Sequence, residues 1–309
     1  MGKMAFIYPG QGAQKYGMGK DFYDTFSTAK EVFDRADEVL DISVKELCFT
    51  EDERLNQTAY TQPALVTTCL AITAVLKEMG IRPDVTAGLS LGEYAAIATA
   101  GGFPVEEAIK TVRARGMFME EAVPDGEGAM AAVLGMEVTQ IEKVLSKIEG
   151  AYIANYNCPG QIVITGLKDA VDKACESLKE AGCKRCLPLK VSGPFHSPYL
   201  KGAGEKLGEF METTELHALE IPYVTNVTGE YVADIRETKD LLVHQVASSV
   251  LWIQSVERMI AEGVDTFVEI GPGKTLAGFI KKINPDVKVI NISQVEDLDI
   301  FLEDYDVAG

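Results

Sequence analysis

The sequence is poor in histidine, tryptophan, cysteine and positive charge. Its 309 residues include 3 His, 1 Trp and 6 Cys, and 29 Lys and Arg stand against 47 Asp and Glu. The formal net charge of −18 excludes a general polyanion-binding surface, because such a body repels a phosphate backbone. We expect no nucleic acid among its partners.

Six cysteines are too few for a disulfide-stapled scaffold in a chain of this length. Four of them stand singly among apolar or helical residues: Cys48, Cys69, Cys158 and Cys175. This distribution favours a reducing cytoplasm. Cys183 and Cys186 have the C-x-x-C spacing of half a zinc site or a redox pair, but no second pair or histidine cluster accompanies them. The alternation of residues 183–189 favours a strand, and we expect no metal and no bound organic cofactor.

Long hydrophobic runs are also missing. No apolar stretch approaches the roughly 20 residues that cross a bilayer, and the first residues lack the long apolar segment of a signal peptide. Residues 4–8 instead predict a first strand. With 47% hydrophobic and 25% charged residues, the composition is that of a soluble globular protein. At roughly 100–200 residues per domain, the length allows one large domain with a smaller one inserted.

Short β-branched runs alternate with helical patterns in the first part of the chain, which is typical of an α/β fold with a mostly parallel sheet. The predicted helix at 59–79 is almost uniformly apolar, with Thr61 as a candidate cap and Pro63 in its first turn. Residues 127–191 read β-α-β-β-α-β, the order of a ferredoxin-like unit. We therefore predict a hydrolase-like large domain, residues 1–126 and 192–309, with an inserted ferredoxin-like domain at 127–191.

The segment Gly88-Leu89-Ser90-Leu91-Gly92 follows an apolar strand pattern and precedes a helical one. A nucleophile elbow requires this strand, tight turn and helix context, whereas an isolated G-x-S-x-G string is weak evidence. Ser90 would stand at the carboxyl end of a strand, near the positive end of the next helix, where an oxyanion is favoured. The alternative is a structural turn.

A serine nucleophile needs a base, and only three histidines are present. His196 lies in a Gly- and Pro-rich loop between a strand and a helix, a common position for catalytic groups. His217 and His244 fit a solvated or packed histidine. No acid is singled out as the group that orients the imidazole, and a backbone carbonyl can take that role. Gln11, in a Gly-flanked turn after the first strand, is a candidate oxyanion donor beside the Leu91 N–H.

Arg115 and Arg113 lie two positions apart on the same predicted helix, so they face different sides. A buried arginine beside a nucleophile would hold a carboxylate through two hydrogen bonds, whereas a surface position is the commoner outcome. The pattern does not choose between the two. Met117, Phe118 and Met119 are predicted to belong to the core.

Seven segments together resemble the malonyl-CoA:acyl carrier protein transacylases over essentially the whole chain. They are YPGQGAQ at 8–14, YTQPAL at 60–65, GLSLGEYAA at 88–96, RGMFMEEAVP at 115–124, NYNCPGQIVITG at 155–166, GPFHSP at 193–198 and VEIGPGKTLAGF at 268–279. The resemblance implies ping-pong transfer of malonyl from malonyl-CoA to the phosphopantetheine thiol of a holo acyl carrier protein in fatty acid synthesis. It also implies a hydrolase-like domain carrying a ferredoxin-like insertion.

The resemblance also implies a role for each site residue. Ser90 is the acylated nucleophile, and His196 is its base, oriented by the Gln245 carbonyl. Gln11 and the Leu91 N–H form the oxyanion hole. Arg115 pairs with the malonyl carboxylate, because an unpaired buried guanidinium is costly when acetyl is bound instead. The remaining pocket residues are Gln62, Asn157 and Phe195, the last typical of the malonyl-type version of the loop.

One position departs from the family. Leu89 stands where the family commonly has histidine just before the nucleophile. Neighbouring strand residues point to opposite faces, so we expect Leu89 to point away from Ser90 and to alter only the hydrogen bonding around Arg115. The reaction class should not change, although the rate or the acyl selectivity can.

A carrier of this type is acidic, so an acidic enzyme needs a local basic patch. The candidates are Lys184, Arg185, Lys190, Lys201 and Lys206. Solvated surface charge is the alternative. We expect a monomer. Competing functions are a serine hydrolase such as a thioesterase, a trans-acting acyltransferase of a polyketide pathway, and a carrier-binding scaffold with a degenerate site.

Overall fold

Two β-sheets organise the chain in the computed structural model, which describes residues 2–124, 126–191 and 193–306. The strands are β1 (Lys3–Tyr8), β2 (Val85–Gly88), β3 (Gly128–Leu134), β4 (Ala151–Cys158), β5 (Gln161–Leu167), β6 (Arg185–Pro188), β7 (Tyr223–Val224), β8 (Tyr231–Val232), β9 (Val264–Ile270) and β10 (Lys288–Ile292). The large sheet has the order β10-β9-β1-β2-β7-β8 and is parallel except for the β7–β8 edge pair. The predicted mostly parallel sheet is thus confirmed.

Thirteen α-helices surround these sheets in the described part of the chain. They are α1 (Lys20–Thr25), α2 (Ser27–Val39), α3 (Val44–Phe49), α4 (Thr58–Glu78), α5 (Gly92–Thr99), α6 (Val105–Glu121), α7 (Val138–Leu145), α8 (Lys168–Glu180), α9 (Lys201–Phe210), α10 (Thr238–Gln245), α11 (Trp252–Ala261), α12 (Thr275–Ile283) and α13 (Val295–Asp306). The sequence patterns did not predict α1 to α3, β10 or α13.

Alternate residues of β1 enter two different hydrophobic clusters, so both faces of the large sheet are covered. Phe6 and Tyr8 lie in one cluster, while Ala5 and Ile7 lie in the other. A central parallel strand buried on both faces has this continuous apolar sequence. Because Tyr8 pairs with Gly88, the loops after β1 and β2 leave the sheet at the same edge. That edge carries Gln11 and Ser90.

The small sheet is antiparallel and has the order β4-β5-β3-β6. With α7 and α8 between its strands, it realises the predicted βαββαβ order inside 127–191. The division into two domains stays a prediction, and two residues near its boundaries, Asp125 and Ser192, lie outside the described residues. Cys186 lies on the edge strand β6 and forms a disulfide with Cys175 of α8, not with Cys183. This pair was not expected from a sequence that favours a reducing compartment.

Helix α4 begins three residues earlier than the candidate cap Thr61, which instead donates its hydroxyl to the carbonyls of Leu55 and Gln57. Pro63 therefore lies in the second turn and leaves the Ala59 carbonyl without its helical partner. Arg113 supplies that partner at 2.9 Å. This contact explains why a proline is tolerated inside the helix.

By length and composition, α4 overturns the prediction that no apolar stretch reaches membrane-spanning size. It has 21 residues, with a mean hydropathy of 1.4 over an 18-residue window. However, 89% of that window is buried inside the protein. The helix therefore forms part of the core, as its uniformly apolar pattern predicted.

Candidate active site

Ser90 occupies the turn between β2 and α5 in a left-handed conformation, with φ of 52°. Few non-glycine residues adopt this region, and those that do cluster at functional sites. The chain packs so tightly here that a Cβ atom on Gly88 would collide with the Gly92 backbone, and one on Gly92 with the Tyr8 carbonyl. The G-x-S-x-G pattern is thus required by the close approach of strand and helix.

His196 lies against Ser90 on a loop before α9 and is only 5% exposed. Its Nε2 is 2.6 Å from the Ser90 Oγ, and its Nδ1 is 3.0 Å from each of the carbonyl oxygens of Gln245 and Ser248. Two carbonyl acceptors assign the proton to Nδ1, which leaves Nε2 free to accept from the serine hydroxyl. Two backbone carbonyls, of Gln245 and Ser248, therefore orient the ring.

The imidazole is held in its neutral form. Burial, together with the nearby Arg115 charge, lowers the pKa of His196 to about 4. A neutral imidazole at pH 7 can accept a proton, as a general base must. The pair formed by Ser90 and His196 can therefore generate a nucleophilic oxygen.

Arg115 is the buried arginine of α6, with 1% of its surface exposed. It donates to Gln62 Oε1 at 3.0 Å, to Ser90 Oγ at 3.2 Å and to Gln245 Oε1 at 3.0 Å. Its guanidinium carbon also lies 5.3 Å from the centre of the Tyr94 ring, a cation–π distance. All three of its hydrogen-bond acceptors are neutral, so the guanidinium can still pair with an anionic group.

Arg113 serves a structural purpose two positions earlier on α6. Its guanidinium pairs with Asp41 at 3.0 Å and donates to the Ala59 carbonyl. The two arginines therefore project from different sides of α6. The sequence pattern had not decided which of them faces the site. Only Arg115 faces Ser90.

A cavity of about 210 Å³ opens beside Ser90 and His196. Its wall includes most of the predicted pocket residues: Gln11, Leu91, Arg115, Asn157 and Phe195. Asn157 is 5% exposed, and its Oδ1 has no hydrogen-bond partner within the described ranges. Gln62 lies behind Arg115, where its Nε2 is 3.5 Å from the Met119 sulfur.

One predicted detail gains a contact in the structure, and another differs. The Gln11 side-chain amide donates one hydrogen to the Thr58 hydroxyl at 3.0 Å, which leaves its second N–H for another acceptor. Leu89 lines the cavity together with Ser90, so position 89 borders the site instead of facing away from it. It does so because the chain leaves the regular strand at Gly88, and strand alternation no longer sets the direction of residue 89.

Two buried polar residues beneath Ser90 were missed by the sequence analysis. Glu93 accepts hydrogen bonds from the Gln245 side chain and the Asn226 backbone, at 2.7 and 3.1 Å. Burial raises the pKa of Glu93 to about 7. Asn226 bonds directly to the turn that carries Ser90. A Glu inside an apolar helical stretch was the one available signal.

The remaining histidines and the candidate basic residues lie elsewhere. His217 is exposed and contacts Glu215, and His244 lies in the last turn of α10. Five surface cations surround β6 and the start of α9 and are all exposed: Lys184, Arg185, Lys190, Lys201 and Lys206. Within the described residues, no group of three or more His, Cys, Asp or Glu could hold a metal ion.

Comparison with known proteins gives consistent matches. The family described as acyl transferase domain matches residues 5–294. The malonyl CoA-acyl carrier protein transacylase of Bacillus subtilis (strain 168) is 46% identical over 308 residues, covering 98% of this chain and 97% of that protein. The crystal structure of the enzyme of the same name from Clostridium perfringens superposes with a TM-score of 0.96 at 44% identity, covering 99% and 98% of the two chains.

A further solved structure is a complex of a type II PKS acyl-carrier protein with its malonyl-transacylase. This chain is similar to it at 36% identity and a TM-score of 0.95, and the match covers 98% of this chain and 99% of that one. A fold with the same paired sheets is thus common to these proteins.

Proposed function

The chain belongs to the acyl transferase domain family, and from this premise we propose the reaction that its site performs. The enzyme transfers malonyl from malonyl-CoA to the phosphopantetheine thiol of a holo acyl carrier protein, for fatty acid synthesis. The observation that carries the malonyl assignment is the buried Arg115, whose Nη2 lies 3.2 Å from the Ser90 Oγ. A cation at this place fits an acyl group that ends in a carboxylate.

In the first half-reaction, the Ser90 Oγ attacks the thioester carbonyl of malonyl-CoA while His196 Nε2 takes the hydroxyl proton. The tetrahedral oxyanion then collapses and the carbon–sulfur bond breaks. The sulfur takes the proton from His196, so CoA leaves as a thiol. The product is malonyl-Ser90. The two carbonyls on Nδ1 stabilise the imidazolium that forms between these proton transfers.

The second half-reaction reverses these steps with another thiol. His196 takes the proton from the pantetheine thiol of the carrier, the sulfur attacks malonyl-Ser90, and the ester bond to Oγ breaks. The proton returns to Ser90. CoA leaves before the carrier thiol attacks, and the acyl group stays on Ser90 between the two steps, which is ping-pong transfer.

The other pocket residues have supporting roles in this proposal. The N–H of Leu91, at the start of α5, and Gln11 donate to the oxyanion, and the helix N-terminus adds positive potential. Gln62 and Gln245 hold Arg115 by its hydrogen bonds. Asn157 and Phe195 bound the acyl cavity, where the Phe195 ring limits space beside the α-carbon.

We expect a malonyl adduct to form and then to leave. Brief mixing of the enzyme with malonyl-CoA should add one malonyl group to the intact mass, and holo carrier should remove it as malonyl-carrier appears. Apo carrier, which lacks the thiol, is the matched control and should leave the adduct in place. Rapid release of CoA and free malonate without carrier acylation would instead identify a serine hydrolase.

The carrier-docking surface is proposed to follow the edge strand β6. Lys184, Arg185 and Lys190 are exposed around it, and Leu187 and Leu189 between them expose 43% and 38% of their surfaces. Leu189 also lines the active-site cavity. Cations around exposed apolar groups fit an acidic partner with apolar contact residues. Lys201 and Lys206 extend this patch, although they already pair with Glu205 and Glu121.

Charge reversal at Lys184, Arg185 and Lys190 together should slow malonyl transfer to the carrier about 10-fold or more at low salt, because electrostatic steering is lost. Acylation by malonyl-CoA should stay within about 3-fold. Rapid-quench measurement of the two half-reactions checks this. The matched control reverses Lys143 on α7, Lys147 in the turn after it and Lys173 on α8, which are exposed in the same small sheet unit. Equal effects of both triple variants would contradict docking at β6.

The sequence-based expectations of a monomer, of no bound cofactor and of a cytoplasmic location remain part of the proposal. Each half-reaction moves an acyl group between oxygen and sulfur and needs no redox step. Malonyl-CoA is a substrate. The site therefore requires only the side chains already described.

A further inference from the structure

Asn226 forms a two-point hydrogen-bond clamp on the turn that carries Ser90. Its Oδ1 accepts from the Ser90 N–H at 2.6 Å, and its Nδ2 donates to the Gly88 carbonyl at 2.7 Å. Asn226 is fully buried, and it follows β7, the neighbour of β2 in the large sheet. One side-chain amide thus hydrogen-bonds to the residues before and after Leu89, at the Gly88 carbonyl and the Ser90 N–H.

These two bonds continue the parallel ladder beyond the point where the strands end. Strand β7 pairs with β2 through Thr86 with Tyr223 and Ala87 with Val224, and the Thr86 N–H bonds to the Pro222 carbonyl. In a parallel ladder, the peptide of residue 226 would next donate to the carbonyl of residue 88 and accept from the N–H of residue 90. The side chain of Asn226 makes both of these bonds instead.

The backbone N–H and carbonyl of Asn226 bond to other groups, which explains why its side chain makes the two ladder bonds. Its N–H donates to Glu93 Oε2 at 3.1 Å, and its carbonyl accepts from the Leu251 N–H at 3.0 Å. Backbone groups of β7 cannot keep regular ladder bonds to Ser90, because its φ of 52° lies in the left-handed region. A side-chain amide extends beyond the end of the strand and can make them. Asparagine presents one donor and one acceptor in the needed arrangement.

We propose that Asn226 is a positioning residue that holds the Ser90 turn in its strained conformation, ready for attack on the acyl donor. The clamp fixes the peptide between Leu89 and Ser90, and so it sets the direction of the Ser90 Oγ toward His196 Nε2. It also fixes the following N–H of Leu91, which faces the oxyanion. The inference rests on the acyl-transfer function of Ser90, and it assigns no contact between Asn226 and the substrate.

The test compares Asn226→Ala, Asn226→Asp and wild type in two reactions of Ser90. One is single-turnover acylation at saturating malonyl-CoA, and the other is labelling by a fluorophosphonate probe, which needs no malonyl recognition. For Asn226→Ala both rates should fall together about 100-fold, the scale of a small misplacement of reacting groups. The half-saturating concentration of malonyl-CoA and the preference for malonyl over acetyl should change less than about 3-fold.

Asn226→Asp should lie between Asn226→Ala and wild type, because its oxygen still accepts from the Ser90 N–H while the donor to Gly88 is lost. The matched control is Thr86→Val on β2. It removes the buried hydrogen bond from the Thr86 hydroxyl to the Ala96 carbonyl and leaves the Ser90 turn unchanged. It should lower thermal stability but leave both rates within about 3-fold of wild type. Wild-type rates in a folded Asn226→Ala, or equal losses in Thr86→Val, would overturn the proposal.

Failure of the Ser90 assignment and failure of the Asn226 proposal give different results. If wild type reacts with neither malonyl-CoA nor the probe, the assignment of Ser90 is wrong. The Asn226 proposal depends only on the ratio of the variant rate to the wild-type rate. If Asn226→Ala does not fold, Asn226→Asp decides in its place. If neither folds, hydrogen exchange of the wild-type Ser90 amide decides, since the clamp predicts strong protection and rapid exchange of that amide overturns it.

Discussion

Ser90→Ala is expected to abolish the malonyl adduct and to lower transfer to the carrier by about 10⁴- to 10⁶-fold, the loss seen when a nucleophile is removed from a hydroxyl–imidazole unit. The alanine keeps the Cβ and the left-handed turn, so the cavity and the positions of His196 and Arg115 should be preserved. Intact-mass spectrometry after mixing with malonyl-CoA measures the adduct, and carrier acylation measures turnover.

Ser255→Ala is the matched control for this substitution. Ser255 is buried on α11, and its hydroxyl donates to the carbonyl of Leu251 at the start of that helix, so its loss should leave the adduct unchanged. A wild-type rate of malonyl attachment to Ser90→Ala would show that another group carries the acyl chain. The thermal unfolding midpoints of both variants establish that each is folded when it is assayed.

The pairing of Ser90 with His196 could be predicted because the signals for both residues are local. The spacing of Gly88, Ser90 and Gly92 reflects a turn in which strand and helix backbones touch, and such a turn is encoded within five residues. His196 was found by elimination among 3 histidines. The roles of Arg115, Gln62 and Gln245 came from family resemblance, since their side chains meet only through contacts between distant segments.

What the sequence could not predict depends on long-range register. Asn226 reaches Ser90 across 136 positions of the chain, and its place depends on the pairing of β7 with β2, which spans two residues. The role of Glu93 was not predicted because a carboxylate inside an apolar helical sequence does not indicate which distant residue it bonds to. The Cys175–Cys186 pair likewise depends on how α8 packs on β6, since Cys183 is nearer to Cys186 in sequence.

The proposed discrimination between acyl groups rests on the burial of Arg115. Burial lowers its pKa, because a charge is costly to bury without a partner, and its acceptors in the free enzyme are neutral amides and a hydroxyl. Besides the electrostatic contribution of Glu93, a malonyl carboxylate would add a negative charge hydrogen-bonded directly to the guanidinium, and an acetyl group would not. A site built to bind a polar group rejects an analogue lacking it by up to about 10⁴-fold.

Arg115→Ala should therefore lower kcat/KM for malonyl-CoA by about 10³-fold or more, while kcat/KM for acetyl-CoA should fall less than about 10-fold. The ratio of the two, measured in competition, is the deciding quantity. Arg113→Ala is the matched control, because it removes a second buried arginine from α6 that pairs with Asp41 and Ala59. That variant should lose stability and keep the malonyl preference. An unchanged ratio in Arg115→Ala would remove the guanidinium from carboxylate recognition and leave selectivity to the shape of the Phe195 wall.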